Sequence, residues 1–453
     1  MMGWTLAAVN YNGRRRPGAP FCERLDGKLG SVFTMLTEVL EHRGDWRRKP
    51  ATRDRNGIAL PSSFHLLLGT AQGKGIPWEY HRCGSTSGPP PLVNYYYGFE
   101  ALTRKADLVA TLELAEAACA GNWPRQMPAE LTSPDCVPVG GGAVWEVMPK
   151  SLVFHPDAPG THRAFRSAFF AAFAAAGRMR GPQHNLWIVK PSAGCKGRDI
   201  FVSHSYGQIM AFLTEEATYA ALGEASAMAA WVVQRYVHNP LLLRGGRKFD
   251  LRCWVLVDAE YSVWLYRQGV VRTAAVPYDV ADLGNYFAHL TNHCIAERHA
   301  AFGAYEPNNE LFYNEFDVEL SRRFPQRAAE GAGSVLHGVL LPQVRRLAVQ
   351  SLLAARPQLE SGYDDYDAFQ LFGYDFVVDA DLRVWLCEVN ASPAVAEPLL
   401  PGLVRALVRR AVDPLCPPDA SRVDARRLVA EAEAAARNGE GFERLLLGRS
   451  AGR

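Results

Sequence analysis

The chain has 453 residues, of which 48% are hydrophobic and 21% are charged, and its formal net charge is +2. These values are ordinary for a soluble globular protein and argue against a disordered chain, and the length predicts about three domains. The nine cysteines are odd in number and show no CxxC spacing, which argues against a full disulfide set and against a cysteine-rich metal site.

No segment has the character of a secretory signal or a membrane span. The first residues, MMGWTLAAVNYNGRRR, lack a positive region followed by an apolar stretch. The longest run of small apolar residues, at 167–177, is too short to cross a bilayer and predicts a partly buried helix. We therefore expect a cytoplasmic protein with no membrane partner.

Residues 1–102 are predicted to form a basic N-terminal docking domain of short apolar segments, which includes the Pro/Gly/Ser-rich stretch 83–91. Residues 1–55 contain eleven Lys or Arg against six Asp or Glu. Such an excess is most often a solvated face, but it also suits an acidic polypeptide or a nucleic acid as partner.

A central domain is predicted over residues 103–239. A helical pattern covers 101–121, and the apolar sequence NLWIVKP predicts a short buried strand further along. That strand runs into the loop KPSAGCKGRDIF at 190–201, whose glycines let the backbone approach an anion and whose lysines supply positive charge. The loop lacks the GxxxxGK[ST] spacing, so a P-loop is excluded there.

A C-terminal domain over 240–415 begins with a predicted β-hairpin, RKFDLRCWVLVDAEYSVWLYRQ, which alternates on both sides of a polar turn. Lys248, Asp250 and Arg252 share one face of its first strand. Because burying three unpaired charges would be costly, they are expected to pair with one another or to face a polar cleft. An exposed face of an antiparallel sheet is the alternative.

The second predicted hairpin, FQLFGYDFVVDADLRVWLCEVN, turns near 379–382 and makes Asp375 a direct or diagonal neighbour of Glu388. Alternation puts Asn390 on the same face as Glu388. Two neighbouring carboxylates repel unless a proton or a cation lies between them. This arrangement predicts an Mg²⁺ site that also holds nucleotide phosphates, with a solvated strand end as the alternative.

Residues 416–453 are predicted to form a helical tail. The Ala/Arg/Glu-rich stretch at 424–447 has the composition of a surface or docking helix.

Five segments carry a family resemblance: NLWIVKPSAGCKG, VVQRYVHNPLLLRGGRKFDLRCWVLVD, VWLYRQGVVRTAAVPYDV, HLTNHCI and FQLFGYDFVVDADLRVWLCEVNASP. In these segments, and in LVNYYYGFEALTRKADLV before them, the chain resembles the tubulin–tyrosine ligase family, whose members join an amino acid to tubulin. The resemblance implies an α/β (α+β) protein with the ATP-grasp fold and an N-terminal accessory domain. It also implies ATP and Mg²⁺ as cofactors.

The resemblance assigns roles to individual positions. The residues that it implies for ATP binding are Lys105, Lys190, Lys196, Gly197, Gln234, Arg235, Val237, Lys248, Asp250, Thr291 and Asn292. The metal ligands that it implies are Asp375, Glu388 and Asn390, in agreement with the hairpin argument. It implies that Arg252 and Arg272 are catalytic and contact the reacting carboxylates and the intermediate.

The segments VRTAAVPY, LTNHCI and FQLFGYDF are most similar to family members that add tyrosine. The expected function is therefore the addition of free tyrosine to the C-terminal glutamate of detyrosinated α-tubulin, through an acyl phosphate. The expected partner is the acidic tail of α-tubulin in the soluble α/β dimer, with no nucleic acid, and the protein is expected to be cytoskeleton-associated.

Two alternatives stay open. The first is a glutamate or glycine ligase acting on tubulin or another protein, and Ala391-Ser392 is the spelling usual among such members. Glutamylating members, however, hold the incoming glutamate with a lysine beyond the metal asparagine, and this chain has no lysine after Lys248. The second alternative is a catalytically dead tubulin-binding protein.

Overall fold

The computed structural model describes residues 7–11, 31–48, 52–54, 57–59, 65–69, 90–118, 147–180, 185–193, 200–222, 230–331, 333–360, 366–418, 425–437 and 439–448. The helices are α1 (Ser31–Arg43), α2 (Glu100–Thr103), α3 (Lys105–Ala118), α4 (Pro159–Arg180), α5 (Tyr206–Ala221), α6 (Tyr286–His289), α7 (His293–Ala296), α8 (Tyr313–Arg323), α9 (Pro325–Glu330), α10 (Leu341–Glu360), α11 (Leu400–Leu407) and α12 (Ala425–Arg437). The basic run at 14–16, most of the stretch 83–91 and residues 194–199 of the glycine loop lie outside the described residues.

The strands are β1 (Ala7–Tyr11), β2 (Trp46–Arg48), β3 (Thr52–Asp54), β4 (Gly57–Ala59), β5 (Leu66–Leu68), β6 (Leu92–Val93), β7 (Ser151–Phe154), β8 (Trp187–Pro191), β9 (Phe201–Ser203), β10 (Trp231–Arg235), β11 (Leu242–Leu243), β12 (Arg247–Val257), β13 (Val263–Tyr266), β14 (Val270–Thr273), β15 (Glu310–Phe312), β16 (Asp367–Ala368), β17 (Gln370–Val378), β18 (Val384–Asn390) and β19 (Phe442–Leu446). The mixture of helix and sheet confirms the predicted fold class. Among the described helices, none has the length and apolar character needed to cross a membrane.

Three larger sheets organise these strands. The first sheet has the order β16-β6-β5-β1-β2, the four-stranded sheet has the order β7-β10-β8-β9, and the eight-stranded sheet is built around β12. Strand β16 pairs in parallel with β6, so a segment that follows α10 completes the first sheet. All eleven residues of β12 are buried, because β11, β13, β14 and β17 pair along its two edges.

The four-stranded sheet presents a different chemistry on each face. Trp187 and Val189 pack with Phe169 and other apolar residues of α4 and α5. Ile188 and Lys190 alternate with them and face away from these helices. The sheet therefore has one apolar face that is covered by helices and one face that is free to line a site.

Both predicted hairpins are confirmed. Strand β12 pairs antiparallel with β13, and β17 pairs antiparallel with β18. The second turn is held by Asp379, whose Oδ1 accepts the backbone N–H of Asp381 and of Arg383, each at 3.0 Å.

The helical pattern at 101–121 is interrupted, contrary to the sequence prediction. Arg104 is extended, with φ −88° and ψ 127°, and it separates α2 from α3. The backbone N–H of Lys105 donates to the carbonyl oxygen of Ser192 at 3.3 Å, and that of Ala106 donates to the Ser192 hydroxyl at 3.1 Å. Contact with the end of β8 thus sets where α3 begins.

The prediction of a helix over 424–447 is wrong in its second half. Helix α12 ends at Arg437, and Gly439 and Gly441 have positive φ values of 67° and 115°. Strand β19 then pairs with β13, placing Trp264 opposite Arg444. The glycines end the helix, and the available edge of β13 provides backbone partners that the local composition does not reveal.

Replacement of Gly373 by alanine should destabilise the eight-stranded sheet. A Cβ at Gly373 would lie 2.5 Å from the Cβ of Pro393, whose ring has little freedom to move. We expect a loss of about 1–3 kcal/mol in the free energy of unfolding, measured by chemical denaturation.

Gly160→Ala serves as the matched control, because nothing lies within 4 Å of a Cβ at that position near the start of α4. Equal stability of the two variants would contradict the expected clash.

Candidate functional site

A polar cleft, called the central cleft here, lies between the four-stranded and eight-stranded sheets and contains about 730 Å³ of empty space that is partly open to solvent. Strands β8 and β10 line one side and β12, β14, β17 and β18 line the other. The sequence-predicted residues in its lining are Lys105, Lys190, Gln234, Arg235, Val237, Lys248, Asp250, Arg272, Thr291, Asn292, Asp375 and Glu388.

Two cations of the central cleft, Lys190 and Lys105, come from different elements, β8 and α3. The Nζ of Lys190, on β8, donates to Oε1 of Gln234 at 2.7 Å, and Gln234 Nε2 in turn donates to the Ser151 hydroxyl at 2.9 Å. The Nζ of Lys105, at the start of α3, lies 3.1 Å from Oε2 of Glu388. Burial lowers the pKa of Lys190, and its lysine neighbours lower it further, although Cys387 and Glu388 oppose this. Both ammonium groups are therefore held in the central cleft by polar contacts.

Lys248 is a third cation and is 6% exposed. Its Nζ donates to the Tyr236 hydroxyl at 3.0 Å and to the carbonyl oxygen of His289 at 2.9 Å. Burial lowers the pKa of Lys248 to about 8, with Cys387 and Asp250 partly opposing the shift. No carboxylate forms an ion pair with this ammonium group within the described residues, so an anion entering the central cleft would meet a cation that burial has left under-compensated.

Arginines and aspartates on β12, β14 and β17 form a buried network of ion pairs. Arg272 donates from Nε and Nη2 to the two carboxylate oxygens of Asp250, at 2.7 and 2.9 Å, and its Nη2 also lies 2.9 Å from Oδ2 of Asp375. Arg252 donates to both oxygens of Asp375. Thr291 donates its hydroxyl to Asp250. Two of the three charged residues predicted to share a face of β12, Asp250 and Arg252, are thus buried because they form ion pairs across strands, whereas Lys248 is held by hydrogen bonds to uncharged groups.

Asp375 and Glu388 are directly opposite in the register of β17 and β18, as predicted. Burial raises the pKa of Asp375, and its two arginine partners offset this only in part. Burial acts in the same direction on Glu388, but Lys105, Asp375 and Lys190 outweigh it and hold the pKa of Glu388 well below its ordinary value. Glu388 is therefore the more acidic carboxylate of the pair.

A bulge next to this pair changes what faces the central cleft. The register shifts between Asp375 and Phe376, so Cys387 is the extra residue on β18. Both Cys387 and Glu388 consequently line the central cleft, whereas strict alternation would have placed them on opposite faces.

The oxygen donors fit a hard divalent cation such as Mg²⁺. No group of three or more His, Cys, Asp and Glu side chains suited to a metal ion occurs in the described part of the chain. Asn390 Nδ2 donates to Asp375 Oδ2 at 3.2 Å and to the Gly373 carbonyl at 3.4 Å, which directs its Oδ1 away from these two acceptors. Mg²⁺ commonly takes one or two carboxylates and completes its shell with substrate phosphates and water, so Asp375 and Glu388 suit it, whereas Asn390 would have to turn its Oδ1 toward them to take part.

Some sequence-predicted residues take other places. Arg252 does not line the central cleft, and its guanidinium group orients Asp375 instead. Asn390 also stands outside the lining but contacts Asp375. Lys196 and Gly197 lie outside the described residues.

The structure also adds residues that the sequence analysis missed. Tyr236 joins Lys248 to His289, whose Nδ1 is 2.8 Å from the tyrosine hydroxyl. Period-two alternation from Gln234 would have pointed to Tyr236, and His289 is the first residue of the segment HLTNHCI, but neither was given a role. Glu310 lies opposite Arg272 in the pairing of β14 with β15, and burial raises its pKa. It belongs to a three-residue strand with no distinctive pattern.

Comparison with known proteins gives a consistent family match. Residues 161–423, more than half of the chain, match the model of the tubulin-tyrosine ligase family. The chain is 29% identical to tubulin glycylase 3B of Tetrahymena thermophila over 48% of this chain and 17% of the relative. It is 29% identical to the probable tubulin polyglutamylase TTLL2 of Homo sapiens over 56% of this chain and 38% of the relative. For the probable tubulin polyglutamylase ttll-9 of Caenorhabditis elegans the identity is 31%, over 47% of each protein. The chain therefore spans less than half the length of these curated relatives.

Removal of the Arg272 guanidinium group should lower the free energy of unfolding of the protein. Arg272→Met leaves Asp250 without its bidentate partner and takes one of two arginines from Asp375. Breaking a buried ion pair in this way costs about 3–5 kcal/mol, and chemical denaturation measures the loss.

Arg298→Met is the matched control because Arg298 is exposed. An Arg272→Met protein that is as stable as this control would show that the buried carboxylates do not need the bridge.

Proposed function

Because this chain belongs to the tubulin-tyrosine ligase family, we propose that it is an ATP- and Mg²⁺-dependent ligase that joins an amino acid to a carboxylate of tubulin. The observation that carries the proposal is the central cleft, which brings three lysines and an acidic pair to one place between two sheets. Nucleotide phosphates need cations, and a divalent ion needs carboxylate oxygens. The cleft supplies both on strands and a helix end, which are rigid supports.

ATP would lie with its phosphates among Lys105, Lys190 and Lys248. Its base would lie along the end of β10, where Gln234, Arg235 and Val237 line the cleft. Asp250, Thr291 and Asn292 line the same space. Lys196 and Gly197 are proposed as further phosphate contacts from the sequence resemblance alone.

Asp375, Glu388 and Asn390 would hold Mg²⁺, which would neutralise charge on the phosphates during transfer. The low pKa of Glu388 keeps a negative charge available for the ion at neutral pH. Arg252 would act as a positioning residue, because its two contacts with Asp375 fix the orientation of that carboxylate.

The proposed chemistry has two steps. A carboxylate oxygen of the acceptor attacks the γ-phosphorus of ATP, the bond to ADP breaks, and an acyl phosphate forms. The amino group of the second substrate then attacks the acyl carbon, a C–N bond forms and phosphate leaves. Arg272, which lines the central cleft, would stabilise the oxyanion, and Glu310, across the strand pair from it, would take the proton of the incoming ammonium group.

Glycine or glutamate is better supported as the second substrate than tyrosine. The relatives reported above are named as glycylases and probable polyglutamylases, and they favour the alternative over the tyrosine expectation. Between the two, we propose glycine. The lysine that the family resemblance leads us to expect beyond Asn390 for a glutamate side chain is absent from this chain, whereas glycine has no side chain to recognise.

Ligation assays test this proposal directly. The full chain would be incubated with detyrosinated tubulin, Mg-ATP and labelled glycine, glutamate or tyrosine in parallel. Incorporation of glycine is expected, and Glu388→Gln should reduce it by about 10² or more, since one carboxylate is lost from the ion site. Glu397→Gln, at an exposed acid nearby, should retain the activity.

Each substrate outcome has a distinct meaning. Incorporation of glutamate alone would support ligase activity with glutamate, not glycine, as the second substrate. Incorporation of tyrosine alone would support the tyrosine ligase expected from the sequence. No incorporation of any of the three would favour a tubulin-binding protein without ligase activity.

ATP binding should take up a proton through Lys248 at alkaline pH. The folded-state pKa of Lys248 is about 8, below the ordinary 10.5, so near pH 8.5 much of this group is neutral in the free protein. A triphosphate favours the charged form and raises that pKa, so binding captures a proton and the affinity falls as the pH rises above about 8. Calorimetry in buffers of different ionisation enthalpy measures the uptake.

Lys248→Arg is the control, because an arginine stays protonated throughout this range. The uptake should shrink in this variant. An unchanged uptake would assign the proton to another group, such as Lys190.

A further inference from the structure

The segment that follows α11 builds a second cleft, called the arginine cleft here. It is open to solvent, encloses about 1150 Å³ and shares no lining residue with the central cleft. Its walls come from the helical segment 400–412, from α12 and from the turn 439–441 that leads into β19. Arg267, Arg409 and Arg410 line it, and Arg405 stands at its border.

The positive charge of the arginine cleft is poorly neutralised. Glu440 is the acid in its described lining, and it lies 3.7 Å from Arg405. Arg409 makes no hydrogen bond or ion pair with any described residue. Burial lowers the pKa of Arg409, and the like charge of Arg405 lowers it further, although Asp413, Glu440 and Glu431 partly oppose this. The cleft thus holds guanidinium groups in excess of carboxylates.

Other acids close to the cleft are committed elsewhere. Asp413 lies 2.6 Å from Arg43, and Glu443 lies 2.7 Å from Arg345. These pairs are made with arginines that do not line the arginine cleft. Among the described residues no carboxylate forms an ion pair with Arg409 or Arg410, so these two guanidinium groups remain available to an external anion.

Arg410 is held in position for such a contact. Its guanidinium carbon lies 4.3 Å from the centre of the Trp264 ring, and that of Arg444 lies 5.9 Å from the same ring. Stacking on an aromatic face leaves the N–H groups at the edge of the guanidinium plane able to donate. The Arg410 side chain therefore loses less conformational entropy when it binds a ligand.

We propose that the arginine cleft is a docking site for an acidic segment of a polypeptide. Planar guanidinium groups match carboxylates through two parallel hydrogen bonds, and the half-buried Ala432 in the lining suits the carbon atoms of a peptide chain. A nucleic acid fits less well. Phe442 is the aromatic side chain in the described lining and is buried, so it offers no ring for base stacking.

Peptide binding to the full chain without ATP tests this proposal independently of ligase activity. The probe is a fluorescein-labelled ten-residue peptide with six glutamates, and the reference peptide has glutamine at those six positions. By anisotropy, the glutamate peptide should bind at least tenfold more tightly, and its binding should weaken as salt is raised. Arg409→Gln/Arg410→Gln should weaken it about tenfold or more.

Arg298→Gln/Arg327→Gln is the matched control, since it removes the same charge from exposed positions elsewhere, and thermal unfolding checks the fold of both variants. Equal binding of the two peptides would overturn the proposal, as would equal loss in both double variants. Tighter binding of inorganic phosphate or of a labelled RNA oligomer, lost in Arg409→Gln/Arg410→Gln, would replace the polypeptide with that ligand.

Discussion

The buried bridge that Arg272 makes between Asp250 and Asp375 is the interaction on which the site depends. Three neighbouring strands, β14, β12 and β17, each contribute one member of it. Without the bridge, two carboxylates would share a space that excludes water, and their repulsion would force the strands apart or protonate an acid. The network thus explains how one sheet can be apolar along most of β12 and still present charged groups to a cleft.

Burial and neighbouring charges shift the pKa values of the charged groups in the central cleft in different directions. Glu388 remains ionised because cations outweigh the cost of burying it, whereas Asp375 is held by arginines and has its pKa raised. Burial lowers the pKa of Lys248 to about 8, so this lysine is mostly charged at neutral pH and loses its proton in the mildly alkaline range. The proposed nucleotide would bring its phosphates to the lysines of the central cleft and its cation to the carboxylates.

Period-two patterns predicted the parts of the site that lie on long strands. Lys248 and Asp250 on β12, and Asp375 opposite Glu388, follow from alternation and from one hairpin turn. Residues such as His289 and Glu310 were missed, because short elements bring them in and their partners are distant in sequence. The strand β19 was missed for a related reason: its pairing edge belongs to β13, far away in the chain, and an Ala-rich helix directly before it dominated the local pattern.

Strand β16 connects the first sheet to the central cleft through continuous backbone. Only Phe369 separates β16, paired with β6, from β17, which carries Asp375, and the backbone N–H of Tyr96 donates to the Gln370 side chain at the junction. A displacement of the first sheet would therefore move the backbone that leads directly into β17. A macromolecule that binds the first sheet would in that way act, through continuous backbone, on the position of Asp375, the carboxylate proposed to hold the ion.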